Sequence, residues 1–191
     1  MVKHFTLFGT LFIMACASPH QPTVDSELWK FEAKNNNLTI DSVCEPLVNN
    51  YLELMMALHH QDTSYLVNKA TILLSMTDSL QNRTLLQDTT LQNNFKNGLV
   101  ALGAELSAMM VEKTPNELAF SGHMVSLQLL NLLGNLGYQK QTIYIFNGVG
   151  MLGVGAEDGL TWLSLSKKSI NPYQTQKNES VTAQKVLQEI N

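Results

Sequence analysis

The sequence predicts a mainly α-helical fold, an up-and-down bundle of about four helices with a small C-terminal element of two β-strands. Three observations support this fold class. Apolar residues recur at helical spacing over residues 40–137. The segment "TPNE" at residues 114–117 has the pattern of a helix capping box. Two short apolar segments rich in β-branched and aromatic residues follow the helices.

The first predicted helix follows Asp41 and Ser42, two residue types that cap helix N-termini, and the segment at residues 62–64 breaks the chain before the second helix. The inward-facing stripe of the first is Val43, Leu47, Tyr51, Leu54, Met55 and Leu58, and that of the second is Leu66, Ala70, Leu73, Thr77 and Leu80. His59 and His60 end the first helix, where an imidazole suits the negative end of the helix dipole. Adjacent histidines point in different directions, so we do not expect them to share a metal ion.

The third and fourth helices have the most regular apolar pattern. The third carries Leu91, Phe95, Gly98, Leu99, Leu102, Leu106, Met109 and Met110, and Gly98 lets a neighbouring helix approach closely. The fourth begins at Pro115 and carries two stripes, which predicts that it is covered on two sides. These stripes are Leu118, Gly122, Val125, Leu129, Leu132 and Leu136, and Phe120, His123, Leu127 and Leu130. Gly134 and Gly137 end this helix.

The segments "TIYIF" (residues 142–146) and "TWLSLS" (residues 161–166) predict two strands packed on the end of the bundle, and residues 179–191 predict a short final helix. Between the strands, Gly148, Gly150 and Gly153 have the spacing G-x-G-x-x-G. A phosphate-binding turn with this spacing needs a helix that begins within it, and the glycine-rich run after Gly153 has no apolar period. We therefore expect a connecting loop and no bound nucleotide.

The N-terminus has the pattern of a lipoprotein signal peptide over residues 1–15. Lys3 precedes an apolar run that ends in "IMAC", which places Cys16 at the lipidation position. The alternative is an ordinary secretory signal cleaved nearby. Residues 16–38 are then a lipidated cysteine and tether, and residues 39–191 a single domain. We expect a lipid anchor in the bacterial cell envelope, with the domain facing the periplasm from the outer membrane.

Composition limits the remaining function classes. The chain has 12 basic and 16 acidic residues and a net charge of −4, so nucleic acid is not an expected partner. Of its two cysteines, Cys16 takes the lipid, and Cys44 is expected to be a small buried hydrophobic residue. The methionine pairs at 55–56 and 109–110 are expected to fill the core. No G-x-S-x-G or H-E-x-x-H motif occurs, and we expect a non-catalytic protein.

The segment "WLSLSKKSINPY" (residues 162–173) closely resembles the closing W-L-S and N-P-Y motif of a bacterial periplasmic family, the domain of unknown function 3347. Residues 51–74 and 120–133 resemble, in the right order, two of that family's helices, so the resemblance covers roughly residues 40–173. Members of the family occur as lipoproteins and as modules attached to heavy-metal efflux adaptor proteins. The resemblance therefore implies a periplasmic binding or interaction module with an envelope protein as partner.

The resemblance also bears on metal binding. In the family a Cys-Pro-Met segment suited to copper follows the first strand. At those positions this chain has Gly148 and Gly150, with Met151 one place further on. We therefore expect no cofactor, and weak or absent binding of copper(I) and zinc. The alternative is a soft-metal accessory protein of an efflux system, with Met151, His123 and Met124 as the ligands.

Trp162, Asn171 and Tyr173 are the remaining binding candidates. Pro172 restricts Asn171 to extended geometry, and the asparagine amide can hold the turn by bonding nearby backbone groups. Tyr173 is expected to pack its ring and to place its hydroxyl group on a partner. The favoured interpretation is a structural clasp that joins the β element to the bundle. In the alternative, these residues face a ligand beside Trp162.

The lipid anchor is directly testable with Cys16→Ser. This substitution removes the only atom that accepts the lipid, so the protein should leave the membrane fraction and appear among soluble envelope proteins. The measurement is fractionation of cells that express either form, followed by immunodetection. A variant that fractionates with the membranes as the unaltered chain does would contradict the lipidation at Cys16.

Overall fold

The computed structural model describes residues 38–148, 159–174, 180–182 and 185–186. The signal peptide, the tether and Met151 lie outside these residues. Four helices come first, followed by five short strands. The helices are α1 (Leu38–His59), α2 (Thr63–Gln81), α3 (Thr89–Met109) and α4 (Pro115–Leu136). The strands are β1 (Tyr144–Gly148), β2 (Leu160–Ser164), β3 (Lys168–Ile170), β4 (Ser180–Thr182) and β5 (Lys185–Val186). The predicted fold class, a mainly α bundle with a small C-terminal β element, is confirmed.

Side-chain caps fix the starts of three helices. Asp62 accepts a hydrogen bond from the Tyr65 amide at the start of α2, and Asp88 caps α3 in the same way. The capping box predicted at residues 114–117 is present at the start of α4, which ends at Gly137 in a left-handed conformation with φ of 66°. The predicted cap of α1 is wrong, because this helix begins at Leu38. Asp41 lies in its first turn, and its carboxylate accepts a hydrogen bond of 3.1 Å from the Gln139 amide.

Each helix packs against the next, and α4 returns to α1, which closes the up-and-down bundle. The predicted stripe of α2 is buried along its whole length, and Cys44 is fully buried in α1. A Cβ atom on Gly98 would lie 2.9 Å from Leu132 Cδ1, which confirms the close approach of α3 and α4 at this glycine. None of the helices in the described residues combines the length and apolar character that crossing a membrane requires.

Two expectations about burial are wrong at single positions. Met56 is 47% exposed, whereas Met55 is 5% exposed, so only one member of this pair fills the core. Strand β2 packs against α4, and in the second stripe of that helix Leu130 is buried while His123 and Leu127 are half-buried. Phe120 in that stripe nevertheless remains 56% exposed, with the His123 ring as its aromatic neighbour.

The two predicted strands are β1 and β2, which pair antiparallel with Phe146 opposite Trp162. The helix predicted over residues 179–191 is wrong within the described residues, since β4 pairs with β3 and β5 pairs with the free edge of β1. The free edges of β1 and β3 carry backbone N–H and C=O groups that an added strand can pair with. Val181 and Thr182 in β4 are β-branched, a residue type that favours strands. This non-local pairing outweighs the weak helical pattern of the sequence.

Gly148, the first glycine of the G-x-G-x-x-G spacing, lies inside β1 opposite Leu160. A Cβ atom at this position would lie 2.9 Å from Asn171 Nδ2 and 3.1 Å from the nearest atom of the Trp162 ring. Gly148 therefore lets two side chains pack over the strand. The other two glycines of the spacing lie outside the described residues.

Candidate functional site

Strand β2 lies at the edge of its sheet, and side chains from outside the sheet supply partners for its backbone. The Thr161 amide donates to His123 Nδ1 at 2.9 Å, and the Leu163 amide donates to the Tyr51 hydroxyl at 3.0 Å. The Tyr173 hydroxyl donates to the Thr161 carbonyl at 2.6 Å. Buried backbone groups require such partners, so these three hydrogen bonds fix the position of β2 on the bundle.

The hydroxyl groups of Tyr51 and Tyr173 meet at Ser126 in the interior. Ser126 Oγ lies 2.6 Å from the Tyr51 hydroxyl and 3.5 Å from that of Tyr173, and it donates to the Gly122 carbonyl at 2.7 Å. Each hydroxyl has one proton, so the Ser126 proton goes to Gly122 and Tyr51 is the donor to Ser126. Burial raises the pKa of Tyr51 and of Tyr173 above the ordinary value for tyrosine, which keeps both side chains protonated as hydrogen-bond donors.

The turn at residues 171–173 holds Tyr173 in this position. Asn171 Oδ1 accepts a hydrogen bond of 2.9 Å from the Tyr173 amide, which is the turn geometry expected for asparagine. Trp162 stacks on Phe146 with ring centroids 5.2 Å apart, and the Tyr173 ring meets Trp162 edge-on at 6.0 Å. Trp162, Asn171 and Tyr173 are all buried, and their contacts are those of a structural clasp.

The predicted soft-metal ligands have other roles or lie outside the described residues. The hydrogen bond from Thr161 occupies His123 Nδ1, so Nε2 carries the proton of the neutral ring. Metal binding at Nε2 would move that proton to Nδ1 and break the bond that holds β2. Met124 is half-buried on α4, and Met151 lies outside the described residues. The structure therefore gives no support to a metal site built from these three residues.

Two further observations argue against zinc. The described residues contain no group of three or more His, Cys, Asp or Glu side chains that could hold a metal ion. Burial, with a smaller contribution from the Asp41 carboxylate, raises the pKa of the Cys44 thiol to about 12. Cys44 is therefore a neutral buried side chain, as expected, whereas zinc binds the thiolate form of cysteine.

A cleft between α1 and β2–β3, which we call the α1–β2 cleft, was not predicted from the sequence. It has a volume of about 320 Å³, and its lining includes Met55, Met56, His59, Trp162, Lys168 and Pro172. His59 is 8% exposed, and its Nδ1 atom is the one buried side-chain nitrogen or oxygen in the described part of the chain that has no hydrogen-bond partner. Such atoms are uncommon in folded proteins, and one that borders a cleft marks a candidate binding site.

A second cleft lies on the other side of Pro172. It has a volume of about 230 Å³ and is lined largely by apolar side chains, among them Leu58, Leu66 and Leu118, with the exposed Lys113 at its rim. No buried polar atom in its described lining lacks a partner, so it offers less to fix the orientation of a ligand. The α1–β2 cleft is therefore the better candidate site.

The sequence contained part of the signal for this site. Met55 and Met56 precede His59 by four and three residues, which places the three side chains on one side of a helix. The wall formed by β2 and β3 depends on how the β element docks, which no local pattern shows.

No protein-family model, curated protein or solved structure matches the chain. Functional inference therefore depends on the residues of the chain itself.

The clasp predicts a coupled loss of stability in Tyr173→Phe and Tyr51→Phe. Tyr173→Phe leaves the Thr161 carbonyl without its buried donor, which should lower the free energy of unfolding by about 1–3 kcal/mol. Because both tyrosine hydroxyl groups hold β2, one through the Leu163 amide and one through the Thr161 carbonyl, the two losses should be non-additive by roughly 0.5 kcal/mol or more. Urea unfolding of the single and double variants measures both quantities.

The control is Tyr65→Phe on the exposed side of α2, with an expected change in the free energy of unfolding within about 0.5 kcal/mol. Additive losses would contradict the shared network.

The His123–Thr161 hydrogen bond predicts a pH-dependent stability. Burial lowers the pKa of His123 below its ordinary value of 6.5, so the unfolded chain takes up a proton at His123 before the folded protein does. The contribution is complete above pH 6.5 and should be lost as pH falls from there through the lower folded pKa. Urea unfolding between about pH 8 and pH 5 measures this loss in the unaltered chain and in His123→Gln, which cannot titrate. Equal pH dependence of the two forms would show that His123 is not responsible.

Proposed function

We propose that this chain is a non-catalytic binding module of the bacterial cell envelope, held to the membrane by a lipid on Cys16 and facing the periplasm. The lipoprotein pattern of residues 1–15 and the resemblance of residues 40–173 to a periplasmic family support this location. We propose the α1–β2 cleft as the binding site.

The unpartnered Nδ1 of His59 is the observation that carries the binding role. His59 lines a cleft of about 320 Å³, and its buried Nδ1 atom has no hydrogen-bond partner in the described residues. This volume is within the range of about 300–1,000 Å³ that is typical of small-ligand sites. Two other side chains with reactive chemistry, His123 and Cys44, are engaged or enclosed. His123 accepts a hydrogen bond from β2, and the Cys44 thiol is buried and protonated. A binding role therefore fits the described residues better than a catalytic one.

The cleft also has the character of a binding surface. Met56 gives it a flexible apolar edge that is 47% exposed, and Trp162 gives it a rigid aromatic wall fixed by the Phe146 stack. Lys168 is the only lysine, arginine or acidic residue in the part of the lining that the structure describes, and its side chain is exposed on β3. The lining residues thus favour a compact occupant that contacts apolar and sulfur-containing side chains.

The test uses the neutral dye N-phenyl-1-naphthylamine and the full chain carrying Cys16→Ser and Trp29→Phe. The second substitution leaves Trp162 as the sole tryptophan, and its position on the cleft wall allows energy transfer to a dye bound there. We expect saturable quenching of Trp162. Met56→Glu should weaken dye binding about tenfold or more, because it places a charge at the edge of the cleft.

The matched control is Val100→Glu, which changes an apolar residue of α3 that is 54% exposed and does not line the cleft. It should leave dye binding unchanged. Absence of saturable binding, or equal binding by the Met56→Glu and Val100→Glu variants, would exclude the α1–β2 cleft as the site.

A further inference from the structure

We infer that the α1–β2 cleft takes a soft monovalent metal ion, copper(I) or silver(I), through His59 Nδ1 and the thioether sulfurs of Met55 and Met56. This inference rests on the proposed function, because it assigns an occupant to the same cleft. It uses none of the residues that the family resemblance points to, which are Met151 and the positions of Gly148 and Gly150.

Helix geometry brings the three donors together. Met55 and Met56 lie four and three residues before His59 on α1, so each methionine is a neighbour of His59 on the helix surface, one on either side of its ring. Side chains on a helix incline towards its N-terminus, which directs the His59 ring over the turn that carries both methionines. All three residues line the same cleft.

The three donor residues differ in their exposure to solvent. His59 and Met55 are 8% and 5% exposed, so they form the inner part of the site, whereas Met56 is 47% exposed at its edge. The His59 Nδ1 atom has no partner in the described part of the chain, although a buried nitrogen of this kind is normally hydrogen-bonded. A metal ion would use that free lone pair while Nε2 keeps the ring proton. Exposed Met56 gives the ion a route from solvent to the inner donors.

The chemistry of the donors selects the class of ion. The two thioether sulfurs are soft, neutral donors that favour copper(I) among biological metals, and the imidazole nitrogen also suits copper. Among the described residues that line the cleft, none carries a carboxylate or a thiolate. Magnesium and calcium need oxygen ligands, and zinc takes thiolate, imidazole or carboxylate, so these ions do not fit. The sequence-based expectation of weak zinc binding is retained, and that for copper(I) is revised.

The positive charge of Lys168 should lower the affinity of the cleft for a metal cation. Its ammonium group is the one lysine or arginine charge among the described lining residues, and it repels a cation held by Met56 and His59. Because the side chain is exposed, water and salt weaken this repulsion but do not remove it. Lys168→Gln should therefore strengthen binding of a metal cation by a few-fold, an effect that a purely structural methionine cluster would not produce.

The experiment titrates silver(I), an air-stable counterpart of copper(I), into the full chain carrying Cys16→Ser and Trp29→Phe in chloride-free buffer. Trp162 fluorescence reports occupancy, because this residue lines the cleft. We expect one equivalent to bind, with affinity lowered about tenfold or more by Met55→Leu and by Met56→Leu. Met124→Leu and Met151→Leu are matched controls and should leave the affinity unchanged. Zinc should not change the fluorescence.

His59→Leu provides a second, independent measurement. Replacing a buried nitrogen that has no partner with an apolar side chain should raise the melting temperature, while silver binding should be lost. A variant that melts higher and binds no silver supports the inference, because loss of the fold cannot explain the lost binding. Silver affinity that survives both Met56→Leu and His59→Leu overturns it.

The dye experiment separates this inference from the proposed function. Dye binding without silver binding to the unaltered cleft would overturn the metal assignment and leave the binding module intact. If neither the dye nor silver binds, both the metal assignment and the proposed function fail.

Discussion

An edge strand placed against a helical bundle must find partners for its backbone groups, and the rest of this structure follows from how β2 meets that requirement. Helices satisfy their own backbone and offer an adjoining strand only side chains. The bundle provides Tyr51 from α1 and His123 from α4, and the chain returns with Tyr173 to bind the Thr161 carbonyl. The turn at residues 171–173, the wall of the α1–β2 cleft and the second cleft beyond Pro172 all take their positions from this docking.

The bundle could be predicted because its determinants are local. Periodic apolar residues define the helix faces, and the capping box at residues 114–117 forms as its sequence requires. Prediction failed where a residue served a distant part of the chain. Asp41 bonds to Gln139, 98 residues away, and does not cap α1. The final strands pair with edges of β1 and β3 that exist only after the β element has formed.

The candidate site shows the same division. The turn-forming role of Asn171 follows from its own chemistry beside proline, and the structure contains the expected bond to the Tyr173 amide. The partner of the Tyr173 hydroxyl, the Thr161 carbonyl, could not be inferred from local spacing. His59 is an ordinary helix-terminal histidine in the sequence. Only the docked β element shows that its ring borders a cleft and that its Nδ1 atom is unpartnered.

The hydrogen bond between Tyr51 and the Leu163 amide spans 112 residues of chain, and this separation has a consequence for the order of folding. Contacts between consecutive helices close short loops and have a low entropic cost, so we expect the helical hairpins to assemble first. The contact between the first helix and the second strand closes most of the domain in one step and should form late. On this route the α1–β2 cleft is created by the last step of folding, when β2 completes its wall.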